Sequence, residues 1–283
     1  MGWGFVLPFV AVFVVFSVVP AAMALFLSFT DIGVGDLTNP LAVDVVGVGN
    51  YLAILDNPGF RRALLNTALF VVVGVPVTLG VGFVLALALD SGVRRLRTVF
   101  RAIVYVPVIA NVVAAAVLWQ YAFTREGPVN GFLDTLGVEG PNWLGRPGWA
   151  VFAVLLLTVW RNIGTCMVLF LAGLQAVPEE VHEAAALDGA GYWRRVVTMT
   201  VPLLRPTTLL VSVLMSVSFL NIFDEPYLVT GGGPLSATTS VAKWVYDQFG
   251  YGRIADSMAG SMILLVVVLV VSVTQVRLLR SKH

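Results

Sequence analysis

Cysteine is nearly absent from this chain: Cys166 is the single one in 283 residues. That excludes an intrachain disulfide framework and any cysteine-rich metal site. Histidine occurs only as His182 and His283, which leaves little for zinc ligation or acid–base chemistry. Charge is scarce too, at 12% of residues where a soluble domain carries roughly 25%. The few charges nearly cancel, to a net +1, so nothing points to a polyanionic or polycationic partner. No Gly-x-x-x-x-Gly-Lys-Ser/Thr occurs, because neither Lys243 nor Lys282 follows a glycine. If ATP is used, another chain binds it. The zinc-protease pattern, paired cysteines and Gly-x-Ser-x-Gly are missing as well, and no internal repeat is strong enough to assert. An enzyme embedded in the membrane would lack a nucleophile–base pair or a metal cluster, so no catalytic or metal-binding residue is expected.

Apolar residues are what the chain has. They make up 58% of it, with a mean hydropathy of +0.91. Polar surface is too scarce to cover a water-soluble particle, so a soluble enzyme, a disordered tail and a nucleic-acid binder are excluded and an all-α integral membrane protein is expected. A helix crossing the hydrocarbon core needs about 20 predominantly apolar residues. Six such stretches occur, at about 4–29, 64–89, 102–123, 149–174, 207–229 and 258–276. The first lacks a basic leader and is interrupted by Pro8 and Pro20, so it reads as a retained span, not a signal peptide. The whole chain, 1–283, reads as a single transmembrane domain.

The loops fix an orientation. On one side lie Arg94, Arg95, Arg97, Arg101, Arg194, Arg195, Arg205, Arg277, Arg280 and Lys282, ten basic residues close to span ends. On the other lie Arg61, Arg62, Arg125, Arg146, Lys243 and Arg253, which is six. The richer side is expected to be cytoplasmic, with both termini.

Of the two internal cytoplasmic loops, 175–206 is the longer. Pro178 suits a first helical position, and Glu179 and Glu180 sit favourably at the positive end of a helix dipole. Glu183-Ala184-Ala185-Ala186 continues that helix, and Asp188-Gly189 stops it. An amphipathic stretch through Trp193, Val196, Val197 and Thr200 follows, before Pro202 and Pro206. Residues this small serve either packing against span ends or close approach by another surface, and composition does not separate the two.

The spacing adds a resemblance. Glu183-Ala184-Ala185, three residues, Gly189, nine residues, then Met199-Thr200-Val201-Pro202 resembles the EAA loop of ABC importer permeases, with Met199 and Val201 as apolar replacements for Ile and Leu. Phe170–Pro178, Glu225–Pro234, Gly47–Tyr51 and Asn66-Thr67 are similar to the carbohydrate branch of that family, of the maltose and glycerol-phosphate type. The family commonly carries a longer, basic N-terminal segment. The resemblance implies a type I permease fold, with five core helices and span one around the outside. It also implies a second permease subunit, two cytoplasmic subunits that bind ATP and magnesium, an extracytoplasmic binding protein that delivers the sugar, and residence in the inner membrane. In that setting Glu183, Ala184, Ala185, Asp188 and Gly189 form the coupling helix that docks on the ATPase. A self-sufficient secondary transporter or channel is the alternative.

Polar residues inside spans are functional candidates, because a central arginine costs about 2.5–3.5 kcal/mol to insert. Arg161 sits mid-span, followed by Asn162 and Thr165. It either pairs with Asp224 or Glu225, or faces the substrate path, or reaches water. Ser218, Asn221 and Glu225 share a face of an uninterrupted fifth helix. Asn221, near Phe219 and Phe223, has the amide and aromatic chemistry that a sugar needs. Asn111 and Gln120, beside Trp119 and Tyr121, offer the same, though such aromatics also form interfacial belts. Ser212 and Ser216 read as helix contacts, and Cys166 as a small buried residue.

Two outcomes test this reading. Cysteines introduced at Asp134 and Asp247 in a Cys166→Ser background should react with impermeant thiol reagents in intact cells, and cysteines at Arg94 and His182 should not; the reverse pattern inverts the topology. Glu183→Lys and Gly189→Val should abolish uptake and co-purification of the ATPase while leaving membrane insertion intact. Normal attachment with normal uptake in both variants removes the coupling assignment.

Overall fold

The computed structural model describes residues 3–39, 43–91, 97–178 and 191–280. Glu183, Ala184, Ala185, Asp188 and Gly189 lie outside the described residues, as do Arg94, Arg95 and His182. What is described is helical, with an isolated bridge between Thr30 and Val45 as the nearest approach to a strand among the described residues.

The chain begins with α1 (Trp3–Phe13), a π-helical segment (Val14–Val18) and α2 (Val19–Leu27). After the short α3 (Gly49–Asp56), a long run combines α4 (Pro58–Leu69), a π segment (Phe70–Gly74) and α5 (Val75–Ser91). Next come α6 (Arg97–Ile109), α7 (Val112–Ala122), α8 (Pro128–Thr135) and the uninterrupted α9 (Pro147–Gln175). Beyond the undescribed loop are α10 (Tyr192–Arg195), a π segment (Val196–Thr200), α11 (Val201–Leu203) and α12 (Arg205–Leu220). A π segment (Pro226–Thr230), α13 (Val241–Gly250) and α14 (Ile254–Arg280) complete the chain.

Four runs are long and apolar enough to cross a membrane: Val6–Leu27, Pro58–Ser91, Pro147–Gln175 and Ile254–Leu278. The expected third span is a bent pair instead, with α6 and α7 at 96°. Asn111 lies between them and caps α7, accepting from the amides of Val113 (2.8 Å) and Ala114 (3.3 Å). The expected fifth span, 207–229, is also not one helix. The segment 192–203 meets α12 at 70°, and α12 itself ends at Leu220.

Prolines explain much of this. Three π segments each end two residues before a proline: Val18 before Pro20, Gly74 before Pro76 and Thr200 before Pro202. A proline has no N–H, and its ring collides with the carbonyl four residues back. Local widening to the π form gives freed backbone groups new partners where lipid offers none. Accordingly the amide of Val19 bonds to Val14 O and that of Val201 to Val196 O, each five residues back.

The main core gathers around α9, whose Val154, Leu157, Cys166 and Met167 are fully buried against α5, α6 and α12. Small residues let the backbones approach, as membrane helices require in the absence of a hydrophobic drive between them. A Cβ on Gly82 would lie 2.6 Å from the Cys166 sulfur, and one on Gly164 would lie 2.6 Å from the carbonyl oxygen of Val104. A second core joins α3, α4, α13 and α14, with the rings of Phe60 and Trp244 4.8 Å apart. The first run touches this body through α2 against α14 and leaves Phe9, Phe13 and Phe16 exposed on the outside. Between it and α14 lies a groove of about 890 Å³. Its walls are aliphatic and aromatic, with Ser17 and Tyr51 as the polar exceptions, so it offers little to a polar solute.

Gly164→Ala should destabilise the detergent-purified protein by about 1–3 kcal/mol, because the obstacle is a backbone carbonyl and not a side chain that can swing away. Gly80, on the open face of α5, has nothing within 4 Å of a Cβ. Gly80→Ala should leave the melting temperature unchanged or raise it. Equal melting of both variants would contradict this packing.

Candidate functional site

The break after α12 creates the site. In a continuous helix the carbonyl of Ile222 would receive the N–H of residue 226, but residue 226 is proline. The helix stops, and the Ser240 hydroxyl donates to Ile222 O at 2.5 Å in place of the missing amide. The same hydroxyl accepts from the amide of Lys243 at 3.1 Å and so caps α13. Across the break, the Gln120 side chain donates to the carbonyls of Leu228 (2.8 Å) and Val229 (3.0 Å). From α4, the amide of Asn66 donates to the carbonyls of Ser236 (2.8 Å) and Thr239 (2.9 Å), and Thr67 accepts from the amide of Val241 at 2.9 Å. Four side chains from three parts of the chain thus hold the unwound segment and the loop behind it.

Between this segment and the middle of α9 lies a polar cavity of about 300 Å³. Its walls are Val108 of α6, Thr158, Arg161, Asn162 and Thr165 of α9, and Ser218, Asn221, Ile222, Phe223, Asp224 and Glu225 of the broken segment. Arg161 Nη1 donates to Glu225 Oε1 at 2.6 Å, and the Glu225 side chain is only 7% exposed. The guanidinium is thereby neutralised in a setting where an isolated charge is costly. Its Nε is buried without a protein partner. Asn162 donates to Thr158 O at 2.8 Å and accepts from the Ser218 hydroxyl at 3.3 Å, which ties α9 to α12. Asn221 is exposed to the cavity, and its recorded side-chain bond is to its own helix, at Val217 O (2.9 Å).

Arg161, Asn162, Ser218, Asn221 and Glu225 therefore come together, although the last three do not lie on the uninterrupted helix expected of them. Phe219 does not join them. It is fully buried, its ring against Gly74 at a spot where a Cβ could not fit, and Phe223 alone supplies an aromatic wall. Asn111 and Gln120 line a different part of the molecule: one caps α7 and the other braces the break. Trp119 is turned onto α9, with its Nε1 on Ala153 O (3.2 Å) and its ring 5.1 Å from that of Trp160. Ser216 accepts from Gln275 of α14 at 2.7 Å and Ser212 is buried, as helix contacts would be. Thr158 and Val108 escaped the sequence reading. Thr158 stands three and four residues before Arg161 and Asn162, a helical spacing that could have found it. Val108 reaches the site by the close α6–α9 packing at Gly164, which leaves no local signature.

The family described as "Binding-protein-dependent transport system inner membrane component" matches residues 79–281. The chain is 35% identical over 284 residues to the trehalose/maltose transport system permease protein MalF of Thermococcus litoralis, covering 100% of this chain and 95% of that protein. It is 32% identical over 251 residues to the lactose transport system permease protein LacF of Rhizobium radiobacter, covering 87% and 82%. Among solved structures, a bacterial ABC transporter that imports the acidic polysaccharide alginate has a chain of the same fold, with TM-score 0.85, 20% identity and coverage of 99% and 95%. A broken, polar-lined helix beside an arginine-bearing one suits a solute path. The chain belongs to the family of inner-membrane components of binding-protein-dependent transport systems.

Proposed function

We propose that this chain is one of two permease subunits of an ATP-driven carbohydrate importer and forms half of its translocation path. The polar cavity between α9 and the broken segment carries this reading. It presents amides, hydroxyls and one aromatic wall at mid-membrane, the chemistry that sugar hydroxyls and C–H faces require. Relatives named for lactose and for trehalose/maltose support the substrate class. One base, Arg161, faces two acids, Asp224 and Glu225, and is engaged by one of them, so this half of the path favours uncharged sugars over anionic ones.

On this reading the chain crosses the inner membrane six times, each bent pair counting once, with both termini cytoplasmic. The second permease subunit completes the cavity, and an extracytoplasmic binding protein delivers the sugar. Two ATPase subunits bind ATP and magnesium and grip residues 183–189. Their closure would draw the two coupling loops together and open the cavity outward. The permease carries out no bond chemistry. Family membership leaves no support for the alternative of a self-sufficient secondary transporter.

The test is ATP-dependent uptake of labelled maltose, trehalose and lactose, and of anionic galacturonate, by vesicles holding the chain with its neighbouring subunits. The neutral sugars should compete and galacturonate should not. Asn221→Ala should lower uptake without changing thermal stability, since its recorded side-chain bond is to its own helix. Arg161→Ala should lower both, because it leaves Glu225 buried and unpaired at a cost of up to about 3–5 kcal/mol. Wild-type uptake kinetics in both variants would remove the cavity from the path.

A further inference from the structure

One face of α13 is buried and the other is not. Val241, Trp244 and Gln248 are turned into the protein, whereas Tyr246 is half exposed. Tyr246 stands over the broken segment, with its ring centroid 5.1 Å from that of Phe223 and 5.3 Å from that of Tyr227. Phe223 and Tyr227 are themselves stacked at 5.2 Å with planes 13° apart. These three rings form one cluster, and Phe223 is at the same time a wall of the polar cavity.

The cluster is held in a fixed shape. Lys243 is buried, places its ammonium 5.8 Å from the centre of the Tyr227 ring, and bonds to both carboxylate oxygens of Asp247 at 2.9 and 2.7 Å. An ammonium over a ring face attracts its quadrupole and restrains its tilt. Interfacial tyrosines that anchor a span work as single rings with wet hydroxyls. Three rings packed on one another at the lip of a polar cavity, with a buried lysine bracing one of them, are arranged for a different task.

We propose that Phe223, Tyr227 and Tyr246 form a stacking subsite for the apolar face of a pyranose ring, at the extracytoplasmic lip of the cavity. The inference rests on the carbohydrate importer reading and adds to it a place where the sugar is received before its hydroxyls reach Asn221 and Asn162. Flat aromatic faces suit the C–H surface of a cyclic sugar and do not discriminate finely among hydroxyl patterns, as a receiving subsite requires. Two of the three rings come from the broken segment, so one structural event creates both the cavity and its lip.

The experiment uses the full complex in proteoliposomes, with permease pair, ATPases and binding protein. It measures ATP-driven uptake of radiolabelled maltose, trehalose and lactose, and the label retained by complex arrested with vanadate. Tyr227→Phe and Tyr246→Phe keep the rings and should stay within about twofold of wild type in both readouts. Tyr227→Leu and Tyr246→Leu should lower uptake and retained label by about tenfold. Leucine variants that match wild type overturn the inference. So does an equal loss in the phenylalanine variants, which would show that the hydroxyls matter and stacking does not. If the leucine variants fail to assemble, Tyr246→Met, which fills the space without a flat face, decides by the same criterion. Wild-type complex that takes up none of the three sugars would refute the importer reading itself, a result distinguishable from failure of the subsite alone.

Discussion

Residue 226 cannot donate a hydrogen bond, and much of the candidate site follows from that. Ile222 is buried, and its carbonyl has lost the amide that a continuous helix would bring to it. It is satisfied by the hydroxyl of Ser240, which is possible only if the chain after the break folds back to bring residue 240 against residue 222. That return generates the loop behind the break and starts α13. It also unwinds residues 221–223 at the depth of Arg161, where exposed amides and carboxylates can line a space instead of a lipid-facing helix. A missing donor in the backbone has become a cavity.

The ion pair inside the cavity works on the same principle. A guanidinium at the midpoint of α9 is expensive in hydrocarbon, and Glu225 offsets that cost only because the break turns its carboxylate toward α9. The pair therefore fastens the unwound segment to a continuous helix. Asn162, the next residue of α9, and Ser218 make a second fastening. Charge and helix geometry depend on each other here, since an unbroken fifth span would carry these side chains along a single straight face.

Much of this was legible in the sequence, and the omissions have physical causes. The second, fourth and sixth spans are plain in the apolar runs because their helices are continuous, and Arg161 is conspicuous because charge is rare. The breaks were not read. Val-Ile-Ala-Asn and Leu-Asn-Ile-Phe lie in runs whose apolar content is undiminished, and hydropathy does not register a missing N–H. Treating the fifth span as one helix put Phe219 beside Asn221, whereas Phe219, still inside α12, packs its ring against Gly74. The roles of Asn66 and Gln120 are invisible for another reason: both bind main-chain carbonyls more than a hundred residues away, and a carbonyl has no letter in a sequence.

That last point has a consequence for how the molecule tolerates change. Asn66 holds the 231–240 loop through the backbone oxygens of Ser236 and Thr239, and Gln120 holds the π segment through those of Leu228 and Val229. The clamped residues can be exchanged for others of similar shape without loosening the grip, because every amino acid brings the same oxygen. The clamping residues have no such latitude, because shortening or removing the amide releases two carbonyls at once. Genetic drift is thus permitted on one side of each contact and forbidden on the other. The clamped surface can vary its chemistry while the scaffold presenting it stays in place.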